Sequence, residues 1–453
     1  MNLSGCRDYL GHLQYFGIKL GLENIRALCR ALGDPQERFP AVHVAGTNGK
    51  GSVAAMLDAV LRGHGYRTGL YTSPHLVNVE ERVLVDGQAI SRRRFCALLG
   101  RIKDAADGLM AEKRLLGHPT YFEVLTALAF LEFAEREVDL AVLEVGMGGR
   151  FDATNVVNPI VSVITTIAKD HEKHLGSSLE SIAFEKAGII KPGVPVVCGV
   201  RGGAALREIR RVARERRAPL VEVFGGDRAL VERPSARGLR FTYDSGDERT
   251  SFSPSLPGRY QGENAAVAIV AAGVLSRTWR PLEKAKIVKA IGETKWEGRL
   301  ETVSRRPLVL LDGAHNPDGA RALAAHLRKT VRRPVVLVFA AMQDKDIRSM
   351  TRALFPLCEA VVLTRVPYKR SATPEEIKAA APVFKGKIIL EPDTRQAVRL
   401  ALLESQKGTC PSGTCPRSHA RSLRGPAPVV IAGSLFLVGE VKRLRLFNRS
   451  LPL

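Results

Sequence analysis

Short runs of apolar, mostly β-branched residues recur along the whole chain, with helical patterns between them. Ala41–Ala45 (AVHVA), Leu140–Val145 (LAVLEV), Ile160–Thr165 (IVSVIT) and Val194–Cys198 (VPVVC) punctuate the longer N-terminal part. Leu308–Leu311 (LVLL), Val335–Phe339 (VVLVF), Ala360–Leu363 (AVVL) and Val429–Ala432 (VVIA) do the same further on. Runs that are apolar on both faces, separated by helices of about 10–15 residues, predict parallel strands buried between helix layers. The fold class is therefore α/β, doubly wound.

The rhythm breaks between residues 225 and 257, where short polar segments such as Leu239–Tyr243 predict a small antiparallel excursion. Two helical stretches follow, 262–276 and 281–291, and then Lys295–Leu300 (KWEGRL), after which the α/β pattern resumes. A domain boundary near residue 296 divides the chain into 1–296 and 297–453. Gln406–Pro428, rich in Gly, Pro and Ser, reads as a surface loop. Its Cys410, Cys415 and His419 match no strong zinc spacing.

Composition narrows the class of protein. At 453 residues the chain is too long for one ordinary core, and 45% hydrophobic with 25% charged residues is an ordinary globular balance. Lys+Arg 68 against Asp+Glu 46 leaves +22, which makes an anionic partner plausible without choosing among nucleotide, nucleic acid and acidic metabolite. No apolar run approaches the roughly 18 residues that a membrane helix needs. The start, MNLSGCRDYLGHLQYFG, shows no basic segment followed by an apolar one, and seven scattered cysteines build no disulfide scaffold. Both observations predict a cytoplasmic protein.

The strongest chemical signal is His43–Ser52 (HVAGTNGKGS), between a strand and the helical run Val53–Arg62. Gly46, Gly49 and Gly51 let the backbone turn so that its N–H groups and the helix N-terminus face an anion. Lys50 is placed to reach outer phosphates, and Ser52 stands where a magnesium shell forms. The pattern departs from the generic phosphate loop, with Val44 in place of the first Gly and Gly51 after the Lys. Three more strand ends carry ligand-type residues: Ser73 before Pro74, Glu144 before Gly146–Arg150 (GMGGR), and Asp170–His171. Ligands of such sheets bind beside the carboxyl ends of the strands. Lys186 lies on a helix expected over Ile182–Ile190. Later in the chain Asp312 ends a strand, His315 and Asn316 open a helix, and Gly433–Glu440 repeats the turn-into-helix arrangement. Two α/β domains with such residues at strand ends predict a site in the cleft between them.

Taken in order, these segments closely resemble the folylpolyglutamate synthase/dihydrofolate synthase family of the Mur ligase superfamily. The resemblance runs through Gly21–Ile25, the phosphate loop, Thr72–Leu76 (TSPHL), Pro119–Glu123 (PTYFE) and Leu143–Asn155 (LEVGMGGRFDATN). It continues through Asp170–Gly176, Ala183–Gly193, Leu256–Asn264, Trp296–Leu300, Asp312–Pro317 and Gly433–Glu440. It implies an N-terminal P-loop mononucleotide-binding domain with a mostly parallel sheet and a smaller Rossmann-like C-terminal domain that helps bind glutamate. It also implies that Thr47, Asn48, Gly49, Lys50, Gly51 and Ser52 hold ATP phosphates, with Asn264, Arg299, Asp312 and His315 as further ATP contacts. Ser73, Glu144 and His171 match the family's Mg²⁺ ligands, and Lys186 matches its carbamylated lysine. Lys50, Glu144, His171 and Lys186 form the implied catalytic group. The pterin end of the acceptor is expected at Gly17, Ile18, Lys19 and Leu20, at Thr120, Tyr121, Phe122 and Glu123, and at Phe151, Asp152 and Ala153. Lys19, Tyr260 and Ala168 depart from the family pattern, and none of them is an implied metal ligand.

The implied reaction is ATP-dependent addition of L-glutamate to dihydropteroate, to reduced folates, or to both, by a monomer. Three other readings compete. A Mur-type ligase would add an amino acid to a UDP-linked cell-wall precursor. A P-loop GTPase or nucleic-acid-dependent ATPase would use the same loop, but no N-K-x-D guanine signature is present. An RNA-binding module would use the charge, but aromatics at 6% form no stacking cluster. Neither nucleic acid nor membrane is the expected partner.

Overall fold

The computed structural model describes residues 1–13, 17, 19, 21–235, 238–331, 333–407 and 425–447. They form two compact units: residues 1–168, 172–255 and 259–295 make one, and residues 169–171, 256–258 and 296–453 the other.

The first unit is built on eight strands: β1 (Ala41–Ala45), β2 (Thr68–Tyr71), β3 (Val83–Val85), β4 (Gln88–Ala89), β5 (Leu140–Glu144), β6 (Val161–Ile164), β7 (Val196–Cys198) and β8 (Leu220–Glu222). Their order across the sheet is β4-β3-β2-β5-β1-β6-β7-β8. The pairs from β2 to β8 are parallel, while β3 and β4 are added antiparallel at one edge. β1 lies between β5 and β6, so chain connections leave it in opposite directions, and a crevice opens where they part.

One face of this sheet is covered by the helices Glu23–Ala31, Arg92–Ala111 and Tyr121–Glu135, whose Leu28, Leu99, Phe130 and Phe133 join Leu143 in a common core. The helix Tyr121–Glu135 is apolar on all sides and almost wholly buried, as a helix surrounded by its neighbours must be. A second core, with Ala45, Ile164, Cys198 and Ile209, lies under the helices Leu179–Ala187 and Gly203–Glu215. The helix expected over Ile182–Ile190 is in fact Leu179–Ala187. Ser178 caps it by accepting from Ser181 N, and Gly188 lies against Arg150 too closely for a Cβ. Strands β9 (Ala229–Ser235), β10 (Gly238–Asp244) and β11 (Arg249–Phe252) form the separate antiparallel sheet where the rhythm breaks.

The second unit is a six-stranded sheet, β12 (Glu301–Arg305), β13 (Leu308–Leu311), β14 (Val335–Phe339), β15 (Cys358–Leu363), β16 (Lys387–Leu390) and β17 (Val429–Ala432), in the order β12-β13-β17-β14-β15-β16. All its pairs are parallel except β12 with β13.

Cys6 and Cys96 meet as a disulfide with their Cα atoms 6.0 Å apart, a pairing that scattered spacing did not suggest. Cys29, Cys198 and Cys358 are free thiols, and burial pushes those of Cys29 and Cys198 up to about 12. Cys410, Cys415 and His419 lie outside the described residues. No helix among the described residues is long and apolar enough to cross a membrane.

Candidate active site

β1 ends at Ala45, and the next four residues turn into the helix Lys50–Gly63. Gly46 has φ 146°, and a Cβ there would lie 1.9 Å from Thr165 Oγ1. Gly49 has φ 87°, and its Cβ would lie 2.3 Å from Asn264 Oδ1. Both positions therefore require glycine. The loop is clamped to the segment after β6. Thr47 N donates to Thr166 O (2.7 Å), Thr47 Oγ1 donates to Ala168 O (3.1 Å), and Asn48 N donates to Thr166 Oγ1 (3.0 Å). Lys50 folds back over the turn, its Nζ donating to Thr47 O (3.2 Å).

Gly51 and buried Ser52 stand in the first helical turn, where backbone N–H groups face outward for an anion. Ser52 Oγ accepts from Gln261 Nε2 (3.3 Å), and Gln261 Oε1 accepts from Asn264 Nδ2 (3.0 Å). Asn264 thus reaches Gly49 from the helix Arg259–Thr278. Gln261 was missed by the sequence reading. Its signal is a polar residue three positions before Asn264 on one helix face.

Glu144, 4% exposed, ends β5, and its Oε2 accepts from Ser73 N (3.0 Å) on the segment after β2. The peptide between Ser73 and Pro74 is cis. Lys186 is buried, and its Nζ donates to Gly46 O (3.0 Å), at the start of the phosphate loop. Glu144, on the strand paired with β1, thus holds Ser73, while Lys186 reaches the end of β1 from its helix. His171 keeps its contacts in the second unit. There Lys345 Nζ lies 2.5 Å from Asp170 Oδ1 and 3.5 Å from His171 Nε2. Asn316 Nδ2 donates to Asp170 Oδ2 (3.2 Å), and His315 Nε2 lies 3.6 Å from that oxygen. Burial pushes the Asp170 carboxyl up, but the hydrogen bond and charge of His315, with Lys345 and His171, outweigh it and hold it far below the usual range. Lys345 is another residue the sequence reading missed; a lysine in a charged run (Gln343–Asp346) gives no signal.

Elsewhere in the second unit Asp312, 4% exposed, ends β13 and accepts from Leu300 N and Ala314 N, both at 2.9 Å. Arg299 crosses Gly313 so closely that a Cβ there would lie 2.4 Å from its Nη1. His315 Nδ1 donates to Gly313 O (2.8 Å).

The acceptor-type residues behave differently. Thr120 and Glu123 form a capping box on the helix Tyr121–Glu135: Glu123 N donates to Thr120 Oγ1 (3.2 Å), and Glu123 Oε2 accepts from Thr120 N (2.7 Å) and Oγ1 (2.8 Å). Burial pushes the Glu123 carboxyl up. Phe122 lies across Gly146, and the Tyr121 ring sits 5.5 Å from the Arg82 guanidinium. Asp152 is buried, with Oδ2 accepting from Met147 N (2.9 Å) and Oδ1 from Thr154 N (3.0 Å) and Thr154 Oγ1 (2.5 Å). Phe151 is 40% exposed and Ala153 buried. A cavity of about 310 Å³ opens beside Phe151, walled by Leu22, Glu23, Arg26, Asn155 and Lys191. Lys19 Nζ donates to His118 O (3.2 Å), which ties the segment of Gly17 and Lys19 to the one before Thr120. Ile18 and Leu20 lie outside the described residues.

Comparison with known proteins gives a consistent result. Residues 44–272 match the Mur ligase middle domain, and residues 298–410 match the Mur ligase glutamate ligase domain. The chain is 34% identical over 442 residues to a dihydrofolate synthase/folylpolyglutamate synthase of Bacillus subtilis, covering 97% of this chain and 98% of that one. Among solved structures, the Mycobacterium tuberculosis folylpolyglutamate synthase complexed with ADP and AMPPCP superposes with a TM-score of 0.88 at 31% identity, over 99% of both chains. The Escherichia coli FolC in complex with DHPP and ADP superposes with a TM-score of 0.81 at 28% identity, over 97% of each.

Proposed function

We infer the chemistry of this chain from the family it belongs to, the folylpolyglutamate synthase/dihydrofolate synthases of the Mur ligases. It is an ATP-dependent ligase that adds L-glutamate to a folate-type acceptor. The observation that carries the reading is the glycine-built turn at Gly46–Gly49, which leads into the helix of Lys50, accepts a hydrogen bond from Lys186 at Gly46 O, and follows a strand paired with the one that ends at Glu144.

Thr47, Asn48, Gly49, Lys50, Gly51 and Ser52 hold the ATP phosphates, and Asn264 supports the turn at Gly49. Arg299, Asp312 and His315 are further nucleotide contacts, supported by resemblance and by their setting at the end of β13. Residues 1–296 form the ATP-binding domain and 297–453 the glutamate ligase domain.

The donor set fits Mg²⁺. Glu144 offers a hard carboxylate oxygen, and its contact with the Ser73 backbone brings that serine, with its hydroxyl, to the same strand ends. Mg²⁺ typically keeps several waters and binds substrate phosphates through one or two carboxylates. Ser73, Glu144 and His171 are its proposed holders, and when bound it neutralises charge on the phosphates. Carbamylation of Lys186 would turn a cation in this setting into a carboxylate-like ligand.

Lys50 stabilises charge that builds up as the acceptor carboxylate attacks the γ-phosphate of ATP, giving an acyl phosphate and ADP. The glutamate amine then displaces phosphate to form the amide. Tyr121, Phe122 and Phe151 supply aromatic surface for the pterin, while Thr120, Glu123, Asp152 and Ala153 shape the segments that carry it; Gly17, Ile18, Lys19 and Leu20 are further contacts by resemblance alone. Both dihydropteroate and reduced folates are accepted, a reading supported by the dual name of the Bacillus subtilis relative. The enzyme acts as a cytoplasmic monomer, in keeping with the resemblance.

The test is ADP release with ATP and glutamate, with and without Mg²⁺, comparing dihydropteroate with tetrahydrofolate. Turnover on both is expected, and chelation with EDTA should abolish it. Turnover on one acceptor would assign a single activity, and turnover on neither would overturn the reading.

A further inference from the structure

His43, the third residue of β1, is fully buried. Its Nε2 lies 2.8 Å from Thr154 Oγ1, which in turn donates to Asp152 Oδ1 over 2.5 Å. A threonine hydroxyl has one proton to give, and here it goes to the carboxylate. Thr154 Oγ1 can then only accept from His43, so the ring hydrogen sits on Nε2. His43 Nδ1 is left as an acceptor, buried and without a hydrogen-bond partner. Asp152 closes the chain by gathering Met147 N and Thr154 N, which pins both ends of the 147–154 segment.

A buried imidazole with one unpaired nitrogen is a poor choice for filling space. Valine would suit β1 better, as it does at Val42 and Val44. What His43 adds is the donor that orients the Thr154 hydroxyl. It therefore links two regions: the strand that enters the phosphate loop three residues later, and the segment that carries Phe151 and Ala153.

We propose that His43 is a positioning residue for the acceptor: through Thr154 and Asp152 it fixes the 147–154 segment relative to the phosphate loop. This rests on Phe151–Ala153 being acceptor contacts. Placement matters because the acceptor is bound only where the segment that carries Phe151 is held in place, so a loosened segment weakens acceptor binding and leaves ATP binding alone. His43 itself touches neither substrate nor reacting atoms.

The test measures KM for dihydropteroate and for ATP separately in full-length H43L, H43Q, T154V, T154S and the double variant H43L/T154V. Leucine fills the space without a donor, whereas glutamine carries an amide N–H near the place of Nε2–H. H43L and T154V should each raise the acceptor KM about tenfold, with the ATP KM changed less than about twofold. The double variant should add little to either single change, because both break one chain. H43Q and T154S should recover to within about threefold of the parent. Strictly additive losses, unchanged acceptor KM, or an equal rise in both KM values would overturn the proposal. Should H43L fail to fold, T154V against T154S carries the same contrast. Nitrogen NMR of the histidine ring gives a readout independent of turnover. An uncharged ring protonated at Nε2 is expected, and a ring protonated at Nδ1 would overturn the chain. If neither acceptor were a substrate, the proposed function would fail, and the tautomer would still decide the chain.

Discussion

The phosphate loop and the acceptor segments use polar residues in opposite ways. In the loop, glycines are there because side chains would collide, and the first turn of the helix Lys50–Gly63 turns its N–H groups toward whatever anion arrives. The Lys50 ammonium donates to a carbonyl of its own turn. In the acceptor segments, Thr120, Glu123 and Asp152 are engaged with their own backbone, capping a helix or pinning a turn. Beside them stand aromatic side chains: Phe151 is exposed, and Tyr121 and Phe122 are partly buried against the core. One region leaves N–H groups facing outward, as a charged ligand requires, and the other uses its polar groups on its own backbone, as the flat, largely uncharged end proposed for the acceptor allows. That division suits a nucleotide at one end and a pterin at the other.

The sharpest way to break this contrast is Lys50→Ala. Lys50 supports no other element, so turnover should fall by about two to three orders of magnitude with the melting temperature nearly unchanged. Near-normal ADP release would remove the phosphate-loop assignment. Gly46→Ala comes next and tests the scaffold beneath the loop. Its Cβ would meet Thr165 Oγ1 at 1.9 Å in a backbone region that L-residues avoid. A loss of about 3 kcal/mol in denaturant unfolding is expected, together with weaker ATP binding by calorimetry. A stable variant that binds ATP normally would mean that the turn is not held against Thr165.

Thr120→Ala turns the question to the other region. Removing the cap should cost about 1–2 kcal/mol of stability, with Thr120→Ser close to the parent, while the ATP KM stays put. If instead the acceptor KM rose sharply at unchanged stability, Thr120 would be a direct substrate contact, and the two regions would be more alike than the structure implies.

Much of this architecture was legible in advance. β1, β13, β14 and β17 stand where apolar runs place them, because a strand buried on both faces can be read without knowing its partners. β8 and β16 are only half-buried and carry no such run, and the two-residue β4 is exposed; pairing makes them strands. The phosphate loop was legible because its glycines answer a local backbone demand. Thr120 and Glu123 look like site residues in a motif, yet Thr-x-x-Glu before an apolar run is also the signature of a capping box. Lys345 was invisible because its role arises from a neighbour distant in sequence, Asp170, and Gln261 offered only its spacing from Asn264, not its contact with Ser52. The Ser73–Glu144 contact was only half visible, since two strand ends can be read separately but their adjacency cannot.

The smallest expected effect concerns the link between the two regions. Burial, helped by the charge of Lys191, lowers the pKa of His43 to about 3, against an ordinary value of 6.5. A base whose folded pKa lies below its unfolded one binds its proton more readily in the unfolded chain. Its contribution to stability is therefore fully present above pH 6.5 and is lost as pH falls toward 3. Between pH 6.5 and 5.5 the loss amounts to about 1 kcal/mol. His75, lowered to about 4 by burial and Arg82, acts in the same direction, so the parent's acid sensitivity alone does not isolate His43. H43Q does, since it keeps a donor for Thr154 and removes only the titration. Denaturant unfolding at the two pH values should show H43Q losing about 1 kcal/mol less than the parent. An identical loss in both proteins would mean that His43 takes up a proton in the folded state, where its Nε2–H and uncharged ring could no longer define the chain to Asp152.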